Sequence, residues 1–170
     1  MQELLQAIEH DSLPKIKSLL KSKDYDLNCE VVIGAEYDLD EPDEIPLLFY
    51  VIQTGASLEA IELLIANGMK LDYTNREGLG AIDIAVKYRR KDIVTLCKNS
   101  GIDLTTSKRK SGLTPLMLAA SFNDIDMMKF LIAEGADIKG VDRHGMDAMA
   151  YATKLGQKSA VKFLEELGTL

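Results

Sequence analysis

A period of 33 or 34 residues runs through this chain, and it narrows the possible folds more than any other feature. Stepping from Gly112 reaches Gly78 backward and Gly145 forward. A second series runs Gly101, Gly135, Gly168, and a third Ala85, Ala119, Ala152. Three markers that shift together define one repeated unit. The segment "IPLLFYVIQTGASLEAIELLIANGMKLD" joins the set with Pro46 under Pro115 and Gly68 under Gly135, once two extra residues are allowed between its helices. "LLQAIEHDSLPKIKSLLKSKDYDLN" joins through Ala7 and Leu19, without the opening turn or closing glycine. Five units result, spanning approximately 1–29, 42–75, 76–108, 109–141 and 142–170 of a single domain over 1–170.

Each marker has a physical reason. In "GLTPLMLAA", Thr114 can cap a helix through its hydroxyl, and Pro115 at the first helical position forfeits no hydrogen bond. The pattern predicts a short helix from Leu116 to Phe122, with Ala119 and Ala120 small enough for close helix approach. After Asn123 and Asp124, "IDMMKFLIAEG" has the 3.6-residue apolar spacing of a second helix. Gly135 sits where a left-handed residue ends a helix. Helix pairs this short cannot bury their apolar faces alone, so they stack. The fold class expected is all-α, a solenoid of about five helix-turn-helix units with short hairpin-like connecting loops.

These residues carry a family resemblance. "GLTPLMLAA … MMKFLIAEGADI" resembles an ankyrin repeat, and the resemblance covers nearly the whole chain. It departs from the family at one slot: the usual His after Thr-Pro-Leu is Met117, and the equivalent positions hold Leu48, Asp83 and Ala150. The hydrogen bonds which that His makes between repeats must be absent or replaced. Gly80-Ala81 and Asp147-Ala148 stand for Thr-Pro in the third and fifth units; Asp147 can cap as Thr does, Gly80 more weakly.

The ends are polar. Glu165 fills the slot of Ile132 with Glu166 beside it, and Lys15, Lys17, Lys21 and Lys23 surround Ile16, Leu19 and Leu20. Such outer faces suit terminal repeats and predict a complete small protein. Between the first two units lies an acidic insertion, approximately 30–44. Within it "CEVVI" favours strand and "DLDEPDE" a loop, either a solvated extension or an acidic finger that recognises a basic partner.

Charge is segregated. Residues 1–45 carry twelve acids against four bases, whereas 76–110 carry nine bases against four acids. The basic side chains Lys87, Arg89, Arg90, Lys91, Lys108, Arg109 and Lys110 raise a nucleic-acid-associated regulator as the alternative function. A sequence pI of about 4.9 and the lack of interleaved surface aromatics disfavour it. No apolar run approaches the ~18 residues of a membrane span, and the start lacks a signal peptide's basic and apolar regions.

Catalytic constellations, metal-ligand spacings and cofactor loops are not found, so no enzyme activity and no cofactor are expected. His10 reads as an exposed helix-end residue and His144 as a turn-tip residue. Cys97 aligns with Leu131 and reads as buried, while Cys29 flanks the insertion; the pairless thiols suit a reducing, cytoplasmic setting. Met127 and Met128 read as helix core. Tyr88, Phe122 and Leu155 share one slot in three successive units, which suits packing in the core or between units, or a hydrophobic contact stripe on the inner face.

The resemblance implies a protein-protein interaction module that meets its partner on a concave surface of hairpin tips and inner helices. Carried onto this chain, that surface comprises Arg76, Glu77, Leu79 and Lys87 in the third unit and Lys110, Ser111, Leu113 and Ser121 in the fourth. Arg143, His144, Met146 and Lys154 follow in the fifth, and the second unit, beside the insertion, contributes Glu41, Asp43 and Glu44. The expected role is that of an inhibitor, adaptor or neutralising protein, monomeric and without membrane insertion.

Overall fold

The computed structural model describes residues 1–33 and 43–168. They divide into two compact units, Met1–Tyr73 and Thr74–Leu170. The first contains α1 (Gln2–Glu9), α2 (Leu13–Ser22), β1 (Glu30–Ile33), β2 (Asp43–Pro46), α3 (Leu47–Gln53) and α4 (Leu58–Ala66). Helix α1 packs on α2, and α2 on α4. Leu4, Ile8, Ile16, Leu47, Ile52, Ile61 and Leu64 are fully buried at the centre. Each such side chain contributes roughly 1.5–3 kcal/mol relative to exposure, which is why a helix of only seven residues survives here. The strand expected in "CEVVI" is β1. It pairs antiparallel with β2, Glu30 opposite Pro46 and Ile33 opposite Asp43, and α3 packs against both strands. Val31 is buried and Val32 exposed, the alternation that strand geometry imposes.

The second unit contains α5 (Ala81–Lys87), α6 (Lys91–Asn99), α7 (Pro115–Ser121), α8 (Ile125–Ala133), α9 (Ala148–Lys154) and α10 (Lys158–Gly168). Helices α5, α7 and α9 form an inner row in which each touches the next. Helices α6, α8 and α10 back onto α5, α7 and α9 in turn. Ala85, Ala119 and Ala152 are wholly buried, so the repeated alanine is the residue that lets the inner helices approach. Ile93, Val94, Cys97, Met127, Met128, Leu131 and Ala160 seal the outer helices against them. Cys97 and the two methionines are therefore core, as their spacing predicts.

Helix starts follow the sequence closely. The Thr114 hydroxyl accepts from the Met117 amide at 3.4 Å, and the Asp124 and Asp147 carboxylates accept from Met127 and Ala150 at 3.0 and 2.7 Å. Gly80 has no side chain to cap with. Its own amide instead donates to the Asp83 carboxylate at 2.8 Å, one half of a capping box. Gly135 ends α8 at φ +103°, and the Ala136 amide then reaches back to the Leu131 carbonyl at 2.9 Å. The third marker of that series behaves differently. Gly168 is the last residue of α10 and holds no left-handed φ, so it does not close its helix as Gly101 and Gly135 close theirs.

Two rows of cross-links tie successive pairs together in this unit. At the hairpin tips the Lys110 amide donates to the Glu77 carbonyl and the Arg143 amide to the Ser111 carbonyl, both at 3.1 Å. At the opposite end of the inner helices, the Asn123 amide oxygen accepts from the Ala160 amide at 2.9 Å. Gln157 donates to the Ser121 carbonyl at 2.7 Å, and Arg89 pairs with Asp124 at 3.0 Å.

Candidate partner-binding surface

The hairpin tips are built by side chains that fold the backbone locally. Asn75 accepts from the Glu77 and Leu79 amides, both at 3.0 Å, and Asp142 accepts from His144 and Met146 at 2.8 and 2.9 Å. Burial works to raise the Asp142 pKa. The Met146 amide, the Tyr151 hydroxyl at 2.8 Å and the His144 amide outweigh it and hold the carboxyl below its usual range. In the fourth unit the equivalent residue is Arg109, which cannot accept a hydrogen bond; the Ser111 hydroxyl takes the Leu113 amide instead. The tips also nest closely. A Cβ on Gly78 would lie 2.0 Å from the Lys108 carbonyl oxygen.

On this frame Arg76, Glu77, Lys110, Arg143 and His144 are exposed at the tips, with Leu79, Ser111 and Met146 half-buried beside them. Lys87 and Lys154 are exposed at the last turns of α5 and α9. Ser121 is half-buried and spends its hydroxyl on the Met117 carbonyl at 2.8 Å. Leu113 is buried; it precedes the Thr114 cap, the position from which an apolar side chain folds back onto the first helical turn. Little of it is available to a partner. In the first unit, Glu44 is exposed on β2 opposite Val32, and Asp43 lies opposite Ile33. Glu41 lies outside the described residues.

Part of the basic segment is paired with carboxylates of the same compact unit. Arg109 pairs with Asp83 at 2.7 Å, Arg90 with Asp92 at 2.6 Å, Lys110 with Glu77 at 3.0 Å and Lys98 with Glu134 at 2.7 Å. The hydrogen bond from Arg90 holds the Asp92 carboxyl below its ordinary range. Asp83 stands in the slot where the resemblance leads one to expect His, so the missing link between units is replaced by an ion pair. In the fourth unit the same slot holds Met117, whose sulfur accepts from the Thr114 amide at 3.4 Å.

Core packing is not the role of the Tyr88, Phe122 and Leu155 slot. These side chains are 40%, 46% and 53% exposed. Each follows the last residue of its inner helix and precedes a left-handed residue: Arg89 at φ +60°, Asn123 at +56° and Gly156 at +69°. That geometry turns the side chain outward.

A family model for ankyrin repeats, three copies long, matches residues 4–108 and 100–169. The chain belongs to the ankyrin-repeat family. Over 160 residues it is 29% identical to ankyrin repeat protein nuc-2 of Neurospora crassa, covering 92% of this chain and 15% of that protein. It is 29% identical over 103 residues to the mouse B-cell lymphoma 3 protein homolog (61% of this chain, 23% of that one). It is 27% identical over 115 residues to an L-asparaginase of Dirofilaria immitis (68% of this chain, 19% of the other). The chain therefore spans less than a quarter of each of these relatives. Ankyrin repeats generally mediate protein-protein interaction and are typically non-catalytic; the enzyme name belongs to a protein that is mostly outside the match. Among the described residues of this ankyrin-repeat chain, no helix is long and apolar enough to cross a membrane.

Proposed function

We propose that the chain is a non-catalytic, cytoplasmic interaction module that binds one protein partner and so inhibits, neutralises or tethers it, acting as a monomer. The observation that carries this reading is the division of labour within each repeat of residues 74–168. Buried alanines and tip-to-tip amide bonds fix the frame, while Arg76, Glu77, Lys110, Arg143 and His144 vary in chemistry on its exposed edge. The acidic side chains around β1 and β2 supply a second, oppositely charged contact. Carboxylates on Arg89, Arg90, Arg109 and Lys110 offset part of the positive charge that a phosphate backbone would need, which favours the protein-binding reading.

The reading is tested by affinity capture from the native cell, identification by mass spectrometry, and comparison with the triple variant Arg76→Glu, Lys110→Glu, Arg143→Glu. A discrete protein that is captured by the wild type and lost from the variant, with helicity unchanged, is the expected outcome. Identical capture by both removes the tips from the site. Nucleic acid as the sole captured species removes the module reading itself.

A further inference from the structure

Among the described residues, four of the turns that join paired helices share one three-residue backbone plan, the α3–α4 turn being one residue longer, and the plan makes no demand for an apolar residue. In the first compact unit the residues before the left-handed position are His10 (before Asp11, φ +47°) and Thr54 (before Gly55, φ +79°). In the second they are Tyr88, Phe122 and Leu155, with nearly identical backbone angles (φ −98°, −86° and −92°) and high exposure. Fold alone explains neither the change to large apolar side chains nor its restriction to three consecutive repeats. The turns that carry the row are cross-linked to their neighbours. Asn123 caps α10 through the Ala160 amide, Gln157 grips the Ser121 carbonyl, and Arg89 clasps Asp124. An exposed apolar row on a preordered frame loses little side-chain freedom when it is covered.

Its two ends are cationic. Lys87, which lies 5.4 Å from the Tyr88 ring centroid, flanks one end, and Lys154 and Lys158 flank the other. Residues 74–170 carry fifteen bases against twelve acids, although the whole chain is at −7. Of the carboxylates beside the first two turns, Asp92 and Asp124 are already engaged by Arg90 and Arg89, whereas Asp126 is an exposed acid next to Phe122.

We infer that Tyr88, Phe122 and Leu155 form the seat for an acidic polypeptide segment bearing apolar side chains, its carboxylates meeting Lys87, Lys154 and Lys158. The inference rests on the interaction-module reading and names both the place and the chemistry of the partner. Apolar contact supplies the affinity, and the lysines supply the choice of charge and the rate of encounter.

The test selects random 16-residue peptides displayed on phage against the immobilised full-length chain, then measures the enriched peptides by fluorescence anisotropy. Three variants are compared: Tyr88→Ser/Phe122→Ser/Leu155→Ser, Lys87→Glu/Lys154→Glu, and the tip variant described above. Circular dichroism checks each, and Phe122→Ser alone replaces the triple serine variant if that one loses helicity. Enriched peptides should be net acidic with several large apolar residues. Their Kd should rise tenfold or more in the serine variant and in the charge variant. Neutral or basic peptides, no enrichment, or a Kd unmoved by the serine variant overturns the inference. Peptides lost only from the tip variant overturn it while leaving the interaction module intact. Two further outcomes also overturn it. One is a 20-base-pair DNA duplex bound through the lysines with no effect of the serines. The other is a concentration-dependent dimer in sedimentation that the serine variant dissolves, which would make a second copy of the chain the occupant.

Discussion

The Arg109 guanidinium lies 2.7 Å from the Asp83 carboxylate, joining residues 26 positions apart on adjacent repeats. Their side chains are only 16% and 12% exposed. Both positions depart from the repeat pattern: Asp83 occupies the slot expected to hold His, and Arg109 occupies the slot of Asn75 and Asp142. The two departures compensate each other. Arg109→Ala leaves the Asp83 charge without its cation and should cost about 2 kcal/mol, somewhat below a fully buried pair. A double-mutant cycle with Asp83→Ala should return a coupling of about 1 kcal/mol or more in urea unfolding. Simple additivity would mean that the pair contributes no stability of its own.

Gly78 and Gly135 both hold left-handed φ, at +79° and +103°, but for different surroundings. A Cβ on Gly135 meets nothing within 4 Å, so Gly135→Ala should cost only the conformational penalty of about 1 kcal/mol. Gly78→Ala adds a collision with the Lys108 carbonyl and should cost roughly 3 kcal/mol or more. Chemical denaturation of the two variants side by side reads the difference. Equal losses would mean that the tips do not nest as described.

Burial pushes the Cys97 thiol up to about 12, and Cys29, only partly buried, is also raised, by burial and then by Asp26. At pH 8 neither is substantially thiolate, and access decides the order of reaction. Iodoacetamide should modify Cys29 slowly in the folded chain and reach Cys97 only on unfolding. Mass mapping of the alkylated peptides with and without urea checks this.

The Asp142 carboxyl, held below its usual range, links the last hairpin to acidity. A folded pKa below the unfolded value of about 3.9 gives stability that is fully present above about pH 5 and lost as pH falls through the folded pKa. The stability gap between wild type and Asp142→Ala should therefore be constant from pH 5 to 7 and narrow below pH 4. Urea titrations across that range measure the gap; one that widens in acid would contradict the hydrogen bonding at this tip.

Much of the architecture was legible because repeat spacing, proline caps and closing glycines each answer to local backbone chemistry. Thr114, Asp147 and Gly135 act at the positions their chemistry predicts. Gly168 misleads because a glycine after an apolar run resembles a helix stop whether or not the helix uses it. The Tyr88, Phe122 and Leu155 row is ambiguous for a similar reason. It follows the last residue of each inner helix, itself one step past Val86 and Ala120 in the core of α5 and α7, and only the backbone turn decides whether the side chain faces inward or outward. The Asp83–Arg109 pair left a faint signal, two departures from pattern in neighbouring repeats, but linear spacing does not reveal that they meet.

The tip-to-tip amide bonds have a mechanical consequence. One such bond joins each neighbouring pair of tips in residues 74–168, Lys110 to Glu77 and Arg143 to Ser111, whereas the helices behind them are locked by broad dry contact. The Arg109–Asp83 and Lys110–Glu77 pairs add to the first of these bonds, so the edge that carries the variable side chains is tied more heavily between the third and fourth repeats than between the fourth and fifth. A partner laid across that edge would therefore meet one firmly joined step and one lighter one, over the same dry layer beneath.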